Sequence, residues 1–596
     1  MLVAETVVTA APAGRAAWVG GEPEIRAAED ECEACFEGTL DNAEELRRAL
    51  SLGESASAAE IVVRGYLRWG AEMVPRLRGA FGLLICDHRR NTALCARDPV
   101  GIHPLFYAEA DGKALVSTSI QDLLDDPRVP SSVNRLALAD HLCHRWAHRE
   151  GGETYFEAVR RIPPGHALRM SAAGRRMYRH WDPVRPEEDV DWVSEDELER
   201  FDSLLDQALD RCIDGGQAGI WLSGGFDSVT VAAIAADRCR RHGWPDPQAL
   251  SLIFPHPDAN EESVQRGVAN ALGLPHFLME FFDAVGDQGM LAPALDMARG
   301  WPAPLLSFWL PAYRQLGLEG RRRGCTTFLN GDGGDEWLTV TPTYAADLLL
   351  ALDFTGLYRL GQSHSRSFRT SRLRVVRNLL WRFGARQVIA AAVGHTAPWA
   401  MRALRRRRLA RAMPDWVAPD PALRHALDQR AEIRSFPPPK DFYMRELRAT
   451  LDHPLVSMTH EEIFENGRRF GGRVVRPFLD ADLVDFLFRV PPELLNRGGY
   501  AKGLVRQTVA TRFPELGFAR KKKVTATAFS RPLLAAEGAR IWKSMGGTPA
   551  LVEAGLVDPD GVGRCIEEAL AFRATGRYGY RIWDILSLEA WLQPRL

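Results

Sequence analysis

No run of the 596 residues is apolar for long enough to cross a bilayer. The best candidate, VIAAAVGHTAPWAMRAL, is broken by His395 and Pro398, so no membrane partner is expected. An excess of one charge is missing too: 75 Lys and Arg against 77 Asp and Glu give a formal net charge of −2. That balance excludes a generally basic nucleic-acid binder. Cysteine is sparse, nine residues and an odd number, which argues against a disulfide framework. The lone C-x-x-C, Cys32 and Cys35, has no second pair. The group His141, Cys143, His144 and His148 has no evident completion at zinc spacing, so neither set is expected to hold a metal. The opening MLVAETVVTAAPAG carries Glu5 and no basic start, and a reducing cytoplasm is the expected compartment.

What is present is a multidomain globular composition, 46% hydrophobic and 26% charged, on a chain too long for one core. Strand-like and helix-like segments mix as far as residue 182. A proline- and acid-rich stretch over 183–198 then reads as a linker. From 199 to 596 short apolar strands such as ALSLIF alternate with helical runs such as EESVQRGVANALG. That is the pattern of an α/β domain with a doubly wound parallel sheet and helical additions. An insertion at about 341–460 is rich in arginine. Thirteen arginines lie between Arg366 and Arg411 with no Asp or Glu among them, ending in the run Arg405 to Arg408. This one-sign field is expected either to be a solvated surface or to dock an acidic partner or the entrance of a peptide.

The chemistry concentrates in GIWLSGGFDSVTVAAIAA, residues 219–236. A glycine-rich turn from a buried strand into a helix aims free backbone N–H groups and the positive end of the helix dipole at one point. Gly224 and Gly225 allow close approach, and Ser223 and Ser228 add hydroxyl donors. Asp227 would repel a phosphate unless a divalent cation sat between them, so the loop implies a nucleotide with Mg2+. It is not a Walker loop, which needs Gly-Lys-Ser/Thr at its end. A second loop, LNGDGGDE at 329–336, also follows a strand, so the two are expected to face one crevice at the strand carboxyl ends.

These motifs carry a resemblance. LSGGFDS resembles the pyrophosphate loop of the asparagine synthetase family and LNGDGGDE its second acidic loop; RPFLDADLVDFLFRVPPEL and AKGLVRQTVATRFPE resemble its C-terminal region. IVVRGYLRWGAEMVPRLRGAFGLLICDHRRNTALCARDPVGIHPLFY and IPPGHAL resemble the class II glutamine amidotransferase domain that precedes it. The resemblance implies an Ntn-hydrolase-like α+β sandwich over 1–182. One departure bears on function. Active glutaminase domains of the family place a cysteine after the initiator Met, where this chain has Leu2, and their Asn-Gly pair appears as Glu37-Gly38. Nucleophile and oxyanion donor are both replaced, so the first domain is expected to be an inactive scaffold.

The resemblance further implies ATP and Mg2+ as cofactors. Asp227 and Asp335 would hold the metal, with Asp332 and Glu336 as weaker candidates. Ser223, Gly224, Gly225 and Ser228, with Gly331, Asp332 and Gly333 opposite, would surround the pyrophosphate, and the backbone at Leu222 and Ile253 would meet adenine. Lys502 would assist the leaving group. Lys522 would stabilise the transition state beside the acyl-adenylate, with Lys521 and Lys523 as neighbours one position away. The family's glutamate before PFLD aligns with Arg473, which leaves the general base open among Glu461, Glu462, Glu465, water and the AMP phosphate. Among relatives, the insertion, MPDWVAPDPALRHAL and ELGFARKKKVTATAF resemble lasso peptide cyclases more than β-lactam synthetases. The implied reaction is an ATP-dependent joining of an Asp or Glu side chain of a precursor peptide to its own N-terminal amine. A leader-binding protein and a leader protease are the implied partners. The alternatives are another glutamine-independent amide ligase, such as a β-lactam synthetase, and a non-catalytic peptide-binding shell.

Overall fold

The computed structural model describes residues 6–7, 16–20, 25–143, 152–183, 189–286, 289–368, 370–432, 441–524, 527–570 and 579–596. Its strands are β1 Thr6–Val7, β2 Ala16–Trp18, β3 Ile25–Glu29, β4 Cys32–Gly38, β5 Phe81–Asp87, β6 Thr92–Arg97, β7 Phe106–Ala110, β8 Lys113–Ser117, β9 Val159–Arg161, β10 His166–Ser171 and β11 Gly174–Arg179 in the first half. The second half holds β12 Ala218–Trp221, β13 Gln248–Ile253, β14 His276–Glu280, β15 Thr327–Leu329 and β16 Arg473–Val475.

The first eleven strands make two sheets, β1-β2-β8-β7-β9 and β11-β10-β6-β5-β4-β3, antiparallel except where β2 runs beside β8. Strand alternation sorts their side chains into layers. In β4, Cys32, Ala34 and Phe36 pack under the helix Ala58–Trp69, whereas Cys35 faces the other sheet with Leu84 and Trp18. The C-x-x-C pair is thus split across two faces of one strand. Burial pushes the Cys32 thiol up to about 12, as befits a core residue. The outer face of the other sheet, through Phe106, Ala108 and Leu115, meets the helix Arg135–Leu142 and Trp591 from the chain's last helix. The stack is helix, sheet, sheet, helix, the expected α+β sandwich. Of the histidine group, His141 is buried with its Nδ1 2.7 Å from the Tyr155 hydroxyl. His144 and His148 lie outside the described residues, as do Leu2 and residues 184–188 of the expected linker.

The second half is built on a parallel sheet of order β14-β13-β12-β15-β16. The strand that comes first in the chain, β12, lies in the middle; the next two add on one side and the last two on the other. The chain therefore changes direction across the sheet between β12 and β15, and their carboxyl-end loops splay apart into a crevice. Helices Phe226–His242 and Leu310–Arg322 cover opposite faces, the first in a core with Leu222 and Leu329, the second with Leu250 and Phe328.

The two halves share one core, in which Ala17, Leu115 and Phe156 pack with Met413, Leu551 and Trp591. The fully buried Arg97 and nearly buried Arg161 of the sandwich reach across to Glu461 on the helix Pro454–Phe470.

Candidate active site

Both glycine-rich loops arise where the sequence predicts, at the ends of β12 and β15, and they touch. The first turns through Gly225, the cap of the Phe226 helix. Ser228 Oγ bonds the Ser223 carbonyl at 2.9 Å and lies 2.8 Å from Ser223 Oγ, which fixes the two hydroxyls side by side. The Leu222 carbonyl accepts from Ser251 Oγ at 2.7 Å. Leu250, Leu252 and Phe254 line the crevice on alternate positions, so Ile253, between them, turns its side chain away and can offer only backbone.

The second loop bends through Gly333, whose φ of 96° a side chain rarely adopts. Asn330 donates to Asp332 Oδ2 at 2.8 Å, and Gly333 N–H donates to Glu336 Oε2 at 3.1 Å, so both weaker metal candidates are engaged within their own loop. Gly331 is held against the first loop: a Cβ there would come within 2.8 Å of the Asp227 Cβ and of the Ser228 amide nitrogen. Absence of side chains lets the two loops close on each other and brings Asp227 beside Asp335.

Between the two carboxylates sits Lys502. Its backbone is left-handed (φ 61°), and its ammonium contacts Asp227 Oδ2 and, at 2.6 Å, Asp335 Oδ1. Lys523 adds a second cation, 2.6 Å from Asp335 Oδ2. Burial raises the Asp227 pKa, with Lys502 pulling against it and Asp335 adding to it. For Asp335 burial also acts upward, but Lys502 and Lys523 outweigh it and hold the carboxyl below its ordinary range. Asp227 is mostly buried, and its Oδ1 has no hydrogen-bond partner among the described residues. That orphaned oxygen, on a carboxylate close enough to Asp335 to feel its charge, fits a divalent cation. Two protein carboxylates completed by phosphate oxygens and water suit Mg2+. Among the described residues no group of three or more His, Cys, Asp or Glu could hold a metal by itself.

The three successive lysines part company. Lys521 pairs with Glu261 at 2.8 Å, Lys523 with Asp335, and Lys522, exposed, lines the cavity without an ion pair among the described residues. Glu261 is a residue that the sequence did not single out. Its carboxylate accepts from Gly224 N–H at 3.2 Å, so an anion of the chain itself rests on the turn expected to bind phosphate. Its only signal was an acidic residue at a helix start, which is commonplace.

These groups line a cavity of about 860 Å³ that runs from the two loops to the helix Pro454–Phe470, with Val100 of the sandwich at its edge. Three glutamates of that helix were open as general bases, and the structure separates them. Glu461 is bound by Arg161, with Nη2 to Oε2 at 2.8 Å, and Glu465 by Arg468 and Arg469. Among the described residues Glu462 has no cation: its oxygens accept the amides of Leu306 at 2.6 Å and Ser307 at 3.2 Å, and it lines the cavity. Burial pushes Glu462 up to about 8, against the pull of those two donors. Arg473 begins β16 beside Thr327, at the amino end of the sheet, where its Nη2 meets the Cys212 carbonyl at 3.2 Å. It faces away from the crevice. In the sandwich, Glu37 accepts from Thr118 Oγ1 at 2.9 Å and lies 3.4 Å from His103 Nε2.

A sandwich of the amidotransferase kind ahead of a parallel sheet with an anion cradle and paired carboxylates at its switch point defines the class of protein. The chain belongs to the asparagine synthase family: the Asparagine synthase model matches residues 200–593, and the Glutamine amidotransferase domain model matches residues 19–181. It is similar to asparagine synthetase [glutamine-hydrolyzing] 3 of Bacillus subtilis, 30% identical over 228 residues, 37% of this chain and 37% of that protein. Amidase chyE of Penicillium rubens is 29% identical over 309 residues, 49% of this chain and 44% of the relative. Asparagine synthetase [glutamine-hydrolyzing] 2 of B. subtilis is 26% identical over 321 residues, 50% and 41%. The chain thus spans less than half the length of these curated relatives.

Proposed function

We propose that the chain is an ATP-dependent, AMP-forming carbon–nitrogen ligase that activates a carboxylate and passes it to an amine other than ammonia released from glutamine. The observation that carries this reading is the meeting of Asp227, Asp335, Lys502 and Lys523 over the glycine-rich turn. It gathers, at one switch point, the donors for a pyrophosphate and the carboxylates for its cation. The carboxylate oxygen of the substrate attacks the α-phosphorus and pyrophosphate leaves. Ser223, Gly224, Gly225 and Ser228 receive the leaving group, and Lys502 and Lys523 neutralise its growing charge. Asp227 and Asp335 would hold Mg2+, which would supply further charge neutralisation. Glu462, once ionised, accepts the proton that the attacking amine must lose, and its two amide donors fix its direction.

The finer reading is lasso peptide cyclisation, in which the amine is the N-terminus of the same peptide and the carboxylate an Asp or Glu side chain. It is supported by the motif resemblance and by Glu37, a carboxylate where an oxyanion donor would be required. A precursor peptide, a leader-binding protein and a leader protease are the partners this reading calls for. The test is ATP–pyrophosphate exchange with the candidate peptide. Asp227→Ala or Asp335→Ala is expected to lower exchange by about 100-fold or more, while added glutamine yields no glutamate. Exchange retained in both variants would remove the assignment of Asp227 and Asp335, no exchange by the parent with any carboxylate substrate would remove the ligase reading, and exchange with free amino acids but not with peptide would remove the lasso reading alone.

A further inference from the structure

The insertion is a set of helices that pack on one another: Tyr344–Leu350, Phe354–Ser367, Arg372–Arg377, a π-helical stretch Asn378–Ala385, Arg386–Thr396 and Pro398–Ala412. From Arg372 to Thr396 the backbone stays helical without a break, since Asn378, Ala385 and Arg386 all keep right-handed helical angles. This long helix is apolar on two sides. Val375 and Leu379 point inward and are buried; Leu373, Val376, Leu380 and Trp381 point outward, Leu373 being 86% and Trp381 59% exposed. The segment Arg386–Thr396 buries none of its residues although it contains VIAAAV. Trp399, 71% exposed, extends the same character into the last helix. Of the seventeen exposed large hydrophobic side chains among the described residues, eleven fall between Leu350 and Leu404. Over residues 354–414 the sequence holds fourteen arginines and no Asp, Glu or Lys.

We propose that this face docks on an anionic lipid bilayer, lying in its surface. An outward stripe of Leu and Val with two exposed indoles, bordered by Arg372, Arg374, Arg377, Arg382 and Arg402, is the composition that buries apolar side chains between headgroups while guanidinium groups meet their phosphates. A second copy of the chain is a poor occupant, because a twofold contact would set two arginine fields against each other with no carboxylate between them. A protein partner would have to present an acidic surface matched in shape to these outward Leu, Val and Trp side chains, whereas a bilayer of anionic lipid offers both charge and apolar depth without such matching. The absence of a spanning run, which led to the expectation of no membrane partner, speaks only to crossing. No described helix is long and apolar enough to cross, whereas lying on a bilayer needs one apolar side. Ser367 and Phe368, at the end of the Phe354 helix, line the active-site cavity, so the docked face adjoins it.

The experiment floats the purified full-length chain with vesicles of phosphatidylcholine alone or mixed with phosphatidylglycerol, at low and high salt. Two variants accompany it, Leu373→Glu/Trp381→Glu/Trp399→Glu and Arg372→Gln/Arg374→Gln/Arg377→Gln, each checked by circular dichroism and thermal unfolding. The expected result is at least about tenfold more chain on anionic than on neutral vesicles at low salt, a smaller ratio at high salt, and loss of the difference in both variants. Equal recovery from the two vesicle types, or folded variants that bind as well as the parent, overturns the proposal. A dimer by sedimentation that the tryptophan variant breaks, with no vesicle binding, assigns the face to a second copy instead.

Discussion

At the scale of single residues, function here depends on which charged groups have found partners inside the chain. Glu461, Glu462 and Glu465 read alike in the sequence, as acids in a helix, and nothing in their spacing tells them apart. Only packing does, by setting arginines beside two of them and amides beside the third. Glu462 also makes a prediction about pH. Its carboxyl keeps a proton up to about pH 8 when folded and loses it near the ordinary 4.5 when unfolded. The folded chain therefore binds the extra proton between those values, and the part of the stability that Glu462 contributes falls as pH rises from about 4.5 to about 8, then levels off. In Glu462→Gln that slope is expected to flatten, so the drop in Tm between about pH 5 and about pH 8 becomes smaller than in the parent. The same variant is expected to slow amide formation while leaving pyrophosphate exchange in place. An unchanged Tm difference would show that Glu462 does not carry the proton.

At the scale of elements, the two loops were legible because glycine-rich turns between apolar and helical runs have few other uses, and because parallel strands deliver their loops to one edge. The strand order was not legible. Nothing local in a six-residue strand says which neighbour it will choose, and the neighbours of β12 come from residues 248–253 and 327–329. Nor did the sequence show how tightly the loops meet. Gly331→Ala tests that contact. The added methyl overlaps Asp227 and the Ser228 amide, so either the loop retreats or the carboxylates part. We expect a destabilisation of about 1–3 kcal/mol by overpacking, read from denaturant unfolding, together with a larger loss of exchange than this alone accounts for. Parental exchange in this variant would mean that the loops need not be in contact.

At the scale of the whole molecule, the sandwich is bound into the other half through a shared core and buried ion pairs. Arg97 and Arg161 are buried, and Glu461 is the shared carboxylate that compensates them from the other half. Glu461→Ala leaves two buried cations short of a counter-charge, and we expect it to cost about 3–5 kcal/mol, seen as a lowered unfolding midpoint. A midpoint within error of the parent would show that the backbone carbonyls around Arg97 suffice. The next residue along the helix is Glu462, so strain at this junction is expected to reach the cavity wall as well.

On the proposed function, the pairing of Glu261 with the Gly224 amide and of Lys502 with two aspartates would make nucleotide binding an exchange of ions rather than a filling of space. A polyphosphate would take the Gly224 amide from a carboxylate, and a cation held by Asp227 and Asp335 would compete with Lys502 for them, so most of the bonds formed there would replace ones of like kind, the unpartnered Asp227 Oδ1 excepted. Such a trade returns little net heat from the direct contacts. The affinity of the site then rests on where the displaced Glu261 and Lys502 go next, and Lys502, freed from the aspartates, has the departing phosphate as its nearest new counter-ion.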